Sequence, residues 1–388
     1  MQDVPLDADA EIGQNASIQT GERMRKVAVV GAGAGGAAAV AELISAGHQV
    51  RFWGRSPQTL AAFQEQGGVS YEGVLGSGLA RPELMTCDLR EAVDAADVVL
   101  VCLPTFAHAD IARALARAGA QAPVVLNPGH TGGALEFQHV FRTLGVAPPP
   151  IAEFSTLTYV ARKYAPDRVT ITGAASSVRL AALPGGEAAL AAGRALFRGA
   201  AVMPDVLACD LANVNMVLHV PGAVLASAWI EATQGDFTFY VSGMTPGVAR
   251  VMRVLDDERR AVARAFGHVL PSIVGEMQAI GTVEASVRDA DDLAGAIAAG
   301  EANRKIKAPG SLAHRYYRED FGYGLLPFVV LASIAGVDVP VAAALLRIGQ
   351  TLLGVDFAAE GRTAERMGIA GLNLASLLNL VGAKHHGE

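Results

Sequence analysis

A doubly wound parallel α/β domain followed by an all-α domain is the fold class this sequence predicts. Three observations carry it. Short β-branched runs alternate with helical stretches from Arg25 to about residue 208, a glycine cluster joins the first strand to the first helix, and strand signals almost vanish beyond Asp210. Regular β–α alternation is the pattern of a parallel sheet with helices on both faces, whose strands read as continuous apolar runs.

Lys26–Val30 (KVAVV) is the first strand, and residues 37–46 form a helix that Gly47 ends as a C-cap. Gln49–Trp53 (QVRFW) is the second strand and residues 57–66 the next helix. Residues 97–103 (DVVLVCL) are apolar after Asp97, as a doubly covered strand should be. A helix over 111–120 and the strand Val124–Leu126 follow. Pro148, Pro149 and Pro150 make a rigid break, after which residues 168–172 and 178–183 suit further strands. Residues 188–197 suit a helix, and 202–207 a last short strand. Long apolar helices are then expected over 211–231, 246–268, 327–335, 340–353 and 372–381, so the boundary is placed near 208. That gives an α/β domain over 24–208 and a helical domain over 209–388. Residues 1–23 carry Asp3, Asp7, Asp9 and Glu11 and lack the basic start and apolar centre of a signal peptide. They read as a disordered extension.

Composition narrows the function classes. With 51% apolar and 18% charged residues, the 388-residue chain has ample material for a core, which excludes global disorder. The net charge of −7 and the absence of a basic run argue against nucleic acid. The longest apolar run, 325–337, is about 13 residues and contains Pro327, where a bilayer span needs roughly 20. No membrane association is expected. Cys87, Cys102 and Cys209 have no CxxC spacing, and the nine histidines form no HxxxH or Cys/His cluster. Neither disulfides nor a metal site is predicted, and a reducing cytoplasm is the expected compartment.

Gly31-Ala32-Gly33-Ala34-Gly35-Gly36 satisfies GxGxxG between a strand and a helix. The first glycine permits the tight turn, the second lets the backbone approach a pyrophosphate, and the third lets helix and strand pack closely. The helix start adds free N–H groups and partial positive charge. A dinucleotide is therefore expected over Gly31, Gly33, Ala34, Gly35 and Gly36. NAD binders usually end the second strand with an acidic residue, but that place here is Gly54, followed by Arg55 and Ser56. An arginine there suits a 2′-phosphate, so NADP(H) is favoured over NAD(H). Pro104 and Thr105 after the strand over 97–103, and Asn127 after Val124–Leu126, lie at successive strand ends, where open α/β sheets bind ligands.

Five segments together resemble the opine dehydrogenase family, which includes octopine and nopaline dehydrogenases. They are GAGAGG at 31–36, LNPGHTGGALEF at 126–137, EFSTLTYVAR at 153–162, NVNMVLHVPG at 213–222 and RYYREDFGYGL at 315–325. The resemblance covers nearly all of residues 25–381. It implies a Rossmann domain and a helical domain with the active site between them. It also implies NAD(P)H-dependent reductive condensation of an α-keto acid with the amino group of an amino acid.

The residues themselves are compatible. Histidine titrates near neutrality and suits proton exchange with a substrate nitrogen. His219 lies four residues after Asn215 on the same helical face, and Pro221 predicts a helix break beside it. The family motif assigns His219 as the acid–base and Asp320 as its orienting carboxylate; from the residues alone Glu319 is an equal rival, and an N-cap role for Asp320 is equally open. The resemblance makes Arg315 the substrate-carboxylate arginine, with Arg318 its local competitor, and puts Thr156 and His130 against the keto acid. Asn215 is a further substrate-binding candidate. Thr158 stands where many relatives have proline. Trp229, Phe237, Phe239 and Tyr240 are candidates for side-chain selection. The partners expected are small molecules, an amino acid or other amine and an α-keto acid; the apolar C-terminal helices suit either a homodimer contact or simply the core. Two other readings share the plan. One is a ketopantoate-reductase-like or glycerol-3-phosphate-dehydrogenase-like enzyme centred on Lys163, Lys305 or Lys307; the other is a non-catalytic NADP-sensing protein.

Overall fold

The computed structural model describes residues 24–287, 292–301 and 303–383. The acidic extension expected over residues 1–23 lies outside the described residues. The strands are β1 (Lys26–Val30), β2 (Gln49–Trp53), β3 (Val69–Gly73), β4 (Gly78–Ala80), β5 (Leu84–Thr86), β6 (Val98–Val101), β7 (Val124–Leu126), β8 (Ile151–Phe154), β9 (Tyr159–Ala165), β10 (Arg168–Ala174), β11 (Val178–Ala182) and β12 (Ala200–Val202). Eight of them form the main sheet in the order β12-β11-β8-β7-β6-β1-β2-β5. From β5 to β8 all neighbours run parallel. β11 then pairs antiparallel with β8 and carries β12 parallel to itself.

Alternation along β1 explains the layers. Val27 and Val29 face one core and Ala28 and Val30 the other, all completely buried. The first core packs the sheet against helix Ala34–Ser45, whose Ala37 to Ala41 stretch is fully buried. Its small side chains let the helix lie close to the strands. The second core runs without interruption from Val101 and Leu126 through Val206 and Val217 to Phe328 and Leu345. The α/β and helical parts therefore share apolar packing, at roughly 1.5–3 kcal/mol for each fully buried large aliphatic side chain.

Local expectations are refined or corrected at four places. The strand expected over 168–172 becomes β10, which joins a separate sheet in the order β4-β3-β10-β9. That sheet packs on helix Ala34–Ser45. The strand expected over 202–207 ends at Val202, and Val206–Leu211 is helical. Asp205 caps it, accepting a bond from the Ala208 N–H at 3.0 Å; the cap residue decides against the β-branched run. The helix expected over 211–231 is three segments, Val206–Leu211, Asn215–Leu225 and Ser227–Thr233. Conversely, Pro221 does not end a helix: Asn215–Leu225 continues through it, held by a buried face that includes Val217, Val220 and Val224. Among the described residues the apolar stretch Val206–Leu225 is largely buried within the molecule, the place of a core element.

Candidate active site

The carboxyl ends of β1, β6, β7 and β8 open onto a cleft of about 490 Å³, closed on its other side by the helical part. At one end lie Gly33, Ala34 and Gly35. Gly33 is the N-cap of helix Ala34–Ser45 and no side chain satisfies the helix start. A methyl group at Gly36 would come within 1.7 Å of the Gly31 carbonyl oxygen, whereas one at Gly33 would meet nothing within 4 Å. Gly31 and Gly36 thus permit the turn and the packing, while Gly33 leaves free space beside unsatisfied N–H groups. A dinucleotide pyrophosphate fits this cradle. Pro104 and Asn127 also line the cleft.

Arg55 and Ser56 do not line the cleft; they occupy the turn after β2, with Arg55 exposed. The Ser56 hydroxyl pairs with Thr59 at 2.8 Å. A Cβ at Gly54 would approach Leu60 to 2.8 Å and Ala32 to 3.2 Å, so the position that is acidic in NAD binders is crowded here. Thr105 is completely buried and does not line the cleft. Its N–H and hydroxyl both donate to Glu319 Oε1, at 3.0 and 3.2 Å.

His219 meets Asp320 across 101 residues of sequence. Nδ1 lies 2.8 Å from Asp320 Oδ2, and Nε2 lies 2.8 Å from the Tyr240 hydroxyl. Tyr316 stacks on the imidazole at 4.0 Å with the rings 13° apart. Burial alone would raise the Asp320 pKa, but the charge and hydrogen bond of His219 hold it below the usual value. Asp320 is no N-cap: helix Arg315–Asp320 runs straight into a π-helical turn, Phe321–Leu325, and then Leu326–Ala335. π-turns re-aim side chains and favour functional sites. Glu319, the rival carboxylate, bonds Thr105 and lies 3.5 Å from Arg315, tying the loop after β6 to the helical part. The two arginines also separate. Arg315 is half-exposed and lines the cleft, whereas Arg318 sits 4.7 Å over the Phe106 ring, outside it.

Loop 127–133 forms the opposite wall. His130 adopts a left-handed conformation, φ 57°, rare outside glycine and worth a cost at a functional site. The Asn213 amide donates to its Nδ1 at 3.2 Å, which leaves the proton on Nε2. Burial lowers the His130 pKa against the pull of Glu319 and Asp320, so the ring is neutral. Thr156 and Asn215 pair at 3.3 Å, and both line the cleft. Thr158 has a reason to differ from proline: its N–H donates to Asn127 Oδ1 and its hydroxyl accepts from Asn127 Nδ2, at 3.1 and 2.9 Å. Proline lacks that donor.

Sequence reasoning missed Asn213, Tyr316 and Arg362. The first two lie inside quoted motifs, but nothing marks Arg362. Completely buried, it donates to the carbonyls of Gly129 and Thr131 and to Glu136, while its own N–H bonds the Gly322 carbonyl. It clamps the His130 loop to the turn that follows Asp320. Of the four aromatic candidates for side-chain selection, Tyr240 lines the cleft; Phe237 and Phe239 are core, and Trp229 stacks on Phe237 at 3.9 Å. Of the lysines, Lys163 borders the cleft with its ammonium held over the Phe63 ring, Lys305 is exposed and Lys307 pairs with Asp236.

A glycine-rich turn at the carboxyl edge of a parallel sheet, facing a buried histidine–carboxylate pair from a helical part, defines a two-domain nicotinamide-dependent dehydrogenase. Residues 202–353 match the family described as NAD/NADP octopine/nopaline dehydrogenase, alpha-helical domain. Residues 26–127 match NADP oxidoreductase, coenzyme F420-dependent. The chain belongs to the opine dehydrogenase family: it is 34% identical to the opine dehydrogenase of Arthrobacter sp. (strain 1C) over 362 residues, 91% of this chain and 98% of that protein. Octopine dehydrogenase in complex with NADH and agmatine has the same fold, with a TM-score of 0.71 and 22% identity over 94% of this chain and 100% of that one. NADP+-bound yersinopine dehydrogenase also has it, with a TM-score of 0.67 and 15% identity over 92% and 96%. The protein is an NAD(P)H-dependent oxidoreductase that condenses an α-keto acid with the amino group of an amino acid and reduces the resulting C=N bond.

Proposed function

We propose that His219 is the acid–base of this reductive condensation, oriented by Asp320, with Arg315, Thr156 and His130 holding the substrates. The observation that carries the reading is the buried 2.8 Å contact between His219 Nδ1 and Asp320 at the wall of the cleft. An amino acid arrives with its amine protonated, and only the neutral amine attacks a ketone. The ionised Asp320 keeps the imidazole proton on Nδ1, which leaves Nε2 as acceptor, and stabilises the imidazolium that forms. Arg315 offers a planar fork to a substrate carboxylate. Neutral His130 presents Nε2–H, a donor suited to the keto-acid oxygen, and the Thr156 hydroxyl can join it. Gly33, Ala34 and Gly35 would hold the pyrophosphate of the nicotinamide cofactor, which when bound supplies the hydride.

The amine partner in this reading is a neutral amino acid with an apolar side chain. Met277, Ile280 and Ile306 line the helical wall, and both carboxylates of the cleft, Glu319 and Asp320, are already engaged. NADPH is the preferred cofactor, because Gly54 has no room for an acidic side chain and Arg55 follows it exposed. Three cysteines without disulfides suit a cytoplasmic enzyme.

A screen of amino acids against keto acids, followed through NADPH and NADH oxidation, tests the reading. Apolar amino acids are expected to outperform arginine, and NADPH to show the lower KM. Arg55→Ala is expected to raise the NADPH KM roughly tenfold, the size of a partly exposed charged contact. His219→Ala is expected to lower kcat roughly 10²–10⁴-fold, the usual scale of acid–base catalysis. A variant with native kcat would refute the assignment.

A further inference from the structure

We infer that Tyr240 is a proton relay between the substrate amine and His219. The inference rests on the His219–Asp320 reading above and adds a residue to it. His219 has two ring nitrogens, and Nδ1 is committed to Asp320. Nε2 is committed as well: the Tyr240 hydroxyl lies on it at 2.8 Å. Tyr240 is 5% exposed and lines the cleft beside His219, so its oxygen, already on Nε2, can take the substrate proton on the way to the imidazole. The imidazole cannot swing aside to bypass it, because Tyr316 stacks flat on its face at 4.0 Å and Asp320 holds its far edge.

The geometry sets the direction of each hydrogen bond. With His219 neutral, the Tyr240 O–H donates to Nε2. With His219 protonated, Nε2–H donates to the phenol oxygen. Transfer is then a concerted shift of two protons. One N–H bond of the substrate ammonium breaks and its proton joins the Tyr240 oxygen, while the Tyr240 proton passes to Nε2. The nitrogen keeps its electron pair as the free amine, the phenol is unchanged, and the positive charge ends on the imidazolium beside Asp320. Reversal of the shift returns a proton to the nitrogen of the reduced product. The phenol need never ionise, which agrees with its surroundings: burial, and then the neighbouring Tyr316 hydroxyl at 3.4 Å, push its pKa well above the usual value. The charged and titratable groups around it are His219 from helix Asn215–Leu225, Tyr316 and Asp320 from helix Arg315–Asp320, and Arg162 from β9.

Tyr240→Phe removes the relay and keeps the ring that packs on Phe239 at 5.2 Å. At neutral pH this variant is expected to lose roughly a hundredfold in kcat/KM for the amine, the lower end of acid–base effects, with unchanged NADPH affinity by calorimetry. The deficit is expected to shrink as the pH rises and the amine arrives already neutral; a loss caused by disturbed packing would not shrink. If Tyr240→Phe kept kcat/KM within about twofold of native while His219→Ala was inactive, the relay would be refuted and the histidine would act directly. If the loss was as large at alkaline pH as at neutral pH, Tyr240 would be a packing residue and the relay would again be refuted. If His219→Ala was fully active, the underlying acid–base reading would fail instead.

Discussion

At the residue scale, the side chains that matter in the cleft work through specific neighbours. Asp320 takes the inner nitrogen of His219 and Tyr240 the outer one, so neither protonation state of the ring leaves a buried group unpaired. Asp320→Asn would replace an acceptor with a group that can also donate, removing both the tautomer control and the charge partner. It is expected to lower kcat steeply with NADPH affinity intact, and the double variant with His219→Ala is expected to be little worse than His219→Ala alone. Additive losses in steady-state assays would show that the two residues act separately. Arg315→Lys is expected to raise the KM of a carboxylate substrate more than it lowers kcat, because an ammonium cannot reproduce the fork. Arg318→Lys, three residues on but stacked over Phe106 outside the cleft, serves as the comparison and is expected to leave KM unchanged.

At the element scale, chemistry is placed by how strands and helices end. Helix Ala34–Ser45 starts without a side-chain cap, and its Gly33 faces space rather than protein. Gly33→Val would fill that space with no clash inside the fold. Circular dichroism is expected to remain native while calorimetry detects no nucleotide binding; full NADPH affinity would reduce the turn to a structural role. The π-helical turn Phe321–Leu325 does comparable work on the helical side. It joins two α-helices without a break, so Asp320 is set by a continuous rod rather than by a loose loop.

At the scale of the whole molecule, the two parts are locked by buried polar groups as well as by shared core. Beneath loop 127–133 lie Arg362, Glu136, Glu153 and Asp210, all essentially inaccessible. Burial, the largest influence, pushes Asp210 up to about 7, and burial with the adjacent Asp210 drives Glu153 well above its usual value. An unfolded aspartate titrates near 4. Between those values the folded protein retains a proton that the unfolded chain has released, so stability falls as pH rises through that window and levels off above it. Asp210→Asn removes this dependence. Its stability relative to native is expected to improve from about pH 4 to pH 7 by on the order of 3 kcal/mol, read from denaturant titrations at several pH values. A constant difference across that range would show that Asp210 is ionised in the fold.

The sequence by itself determined the class: β1, β2, β6 and β7 in a parallel sheet, the glycine turn, the apolar helices and the family. Each of these is written in neighbouring residues, as a strand or helix period, a turn or a short motif, and so survives reading along the chain. The structure alone decided which side chains meet. Glu319 and Asp320 are indistinguishable in the string RYYRED, yet one reaches Thr105 across 214 residues and the other His219 across 101. Arg362 has no local signature because its partners Gly129, Thr131 and Glu136 lie more than two hundred residues away. Pro221 shows the same rule in reverse: a local preference for a break loses to a buried face of the helix that only the assembled core supplies. Propensity acts over a turn of chain, whereas pairing of buried polar groups is enforced by the cost of leaving them unpaired, and that cost exists only once the fold has excluded water.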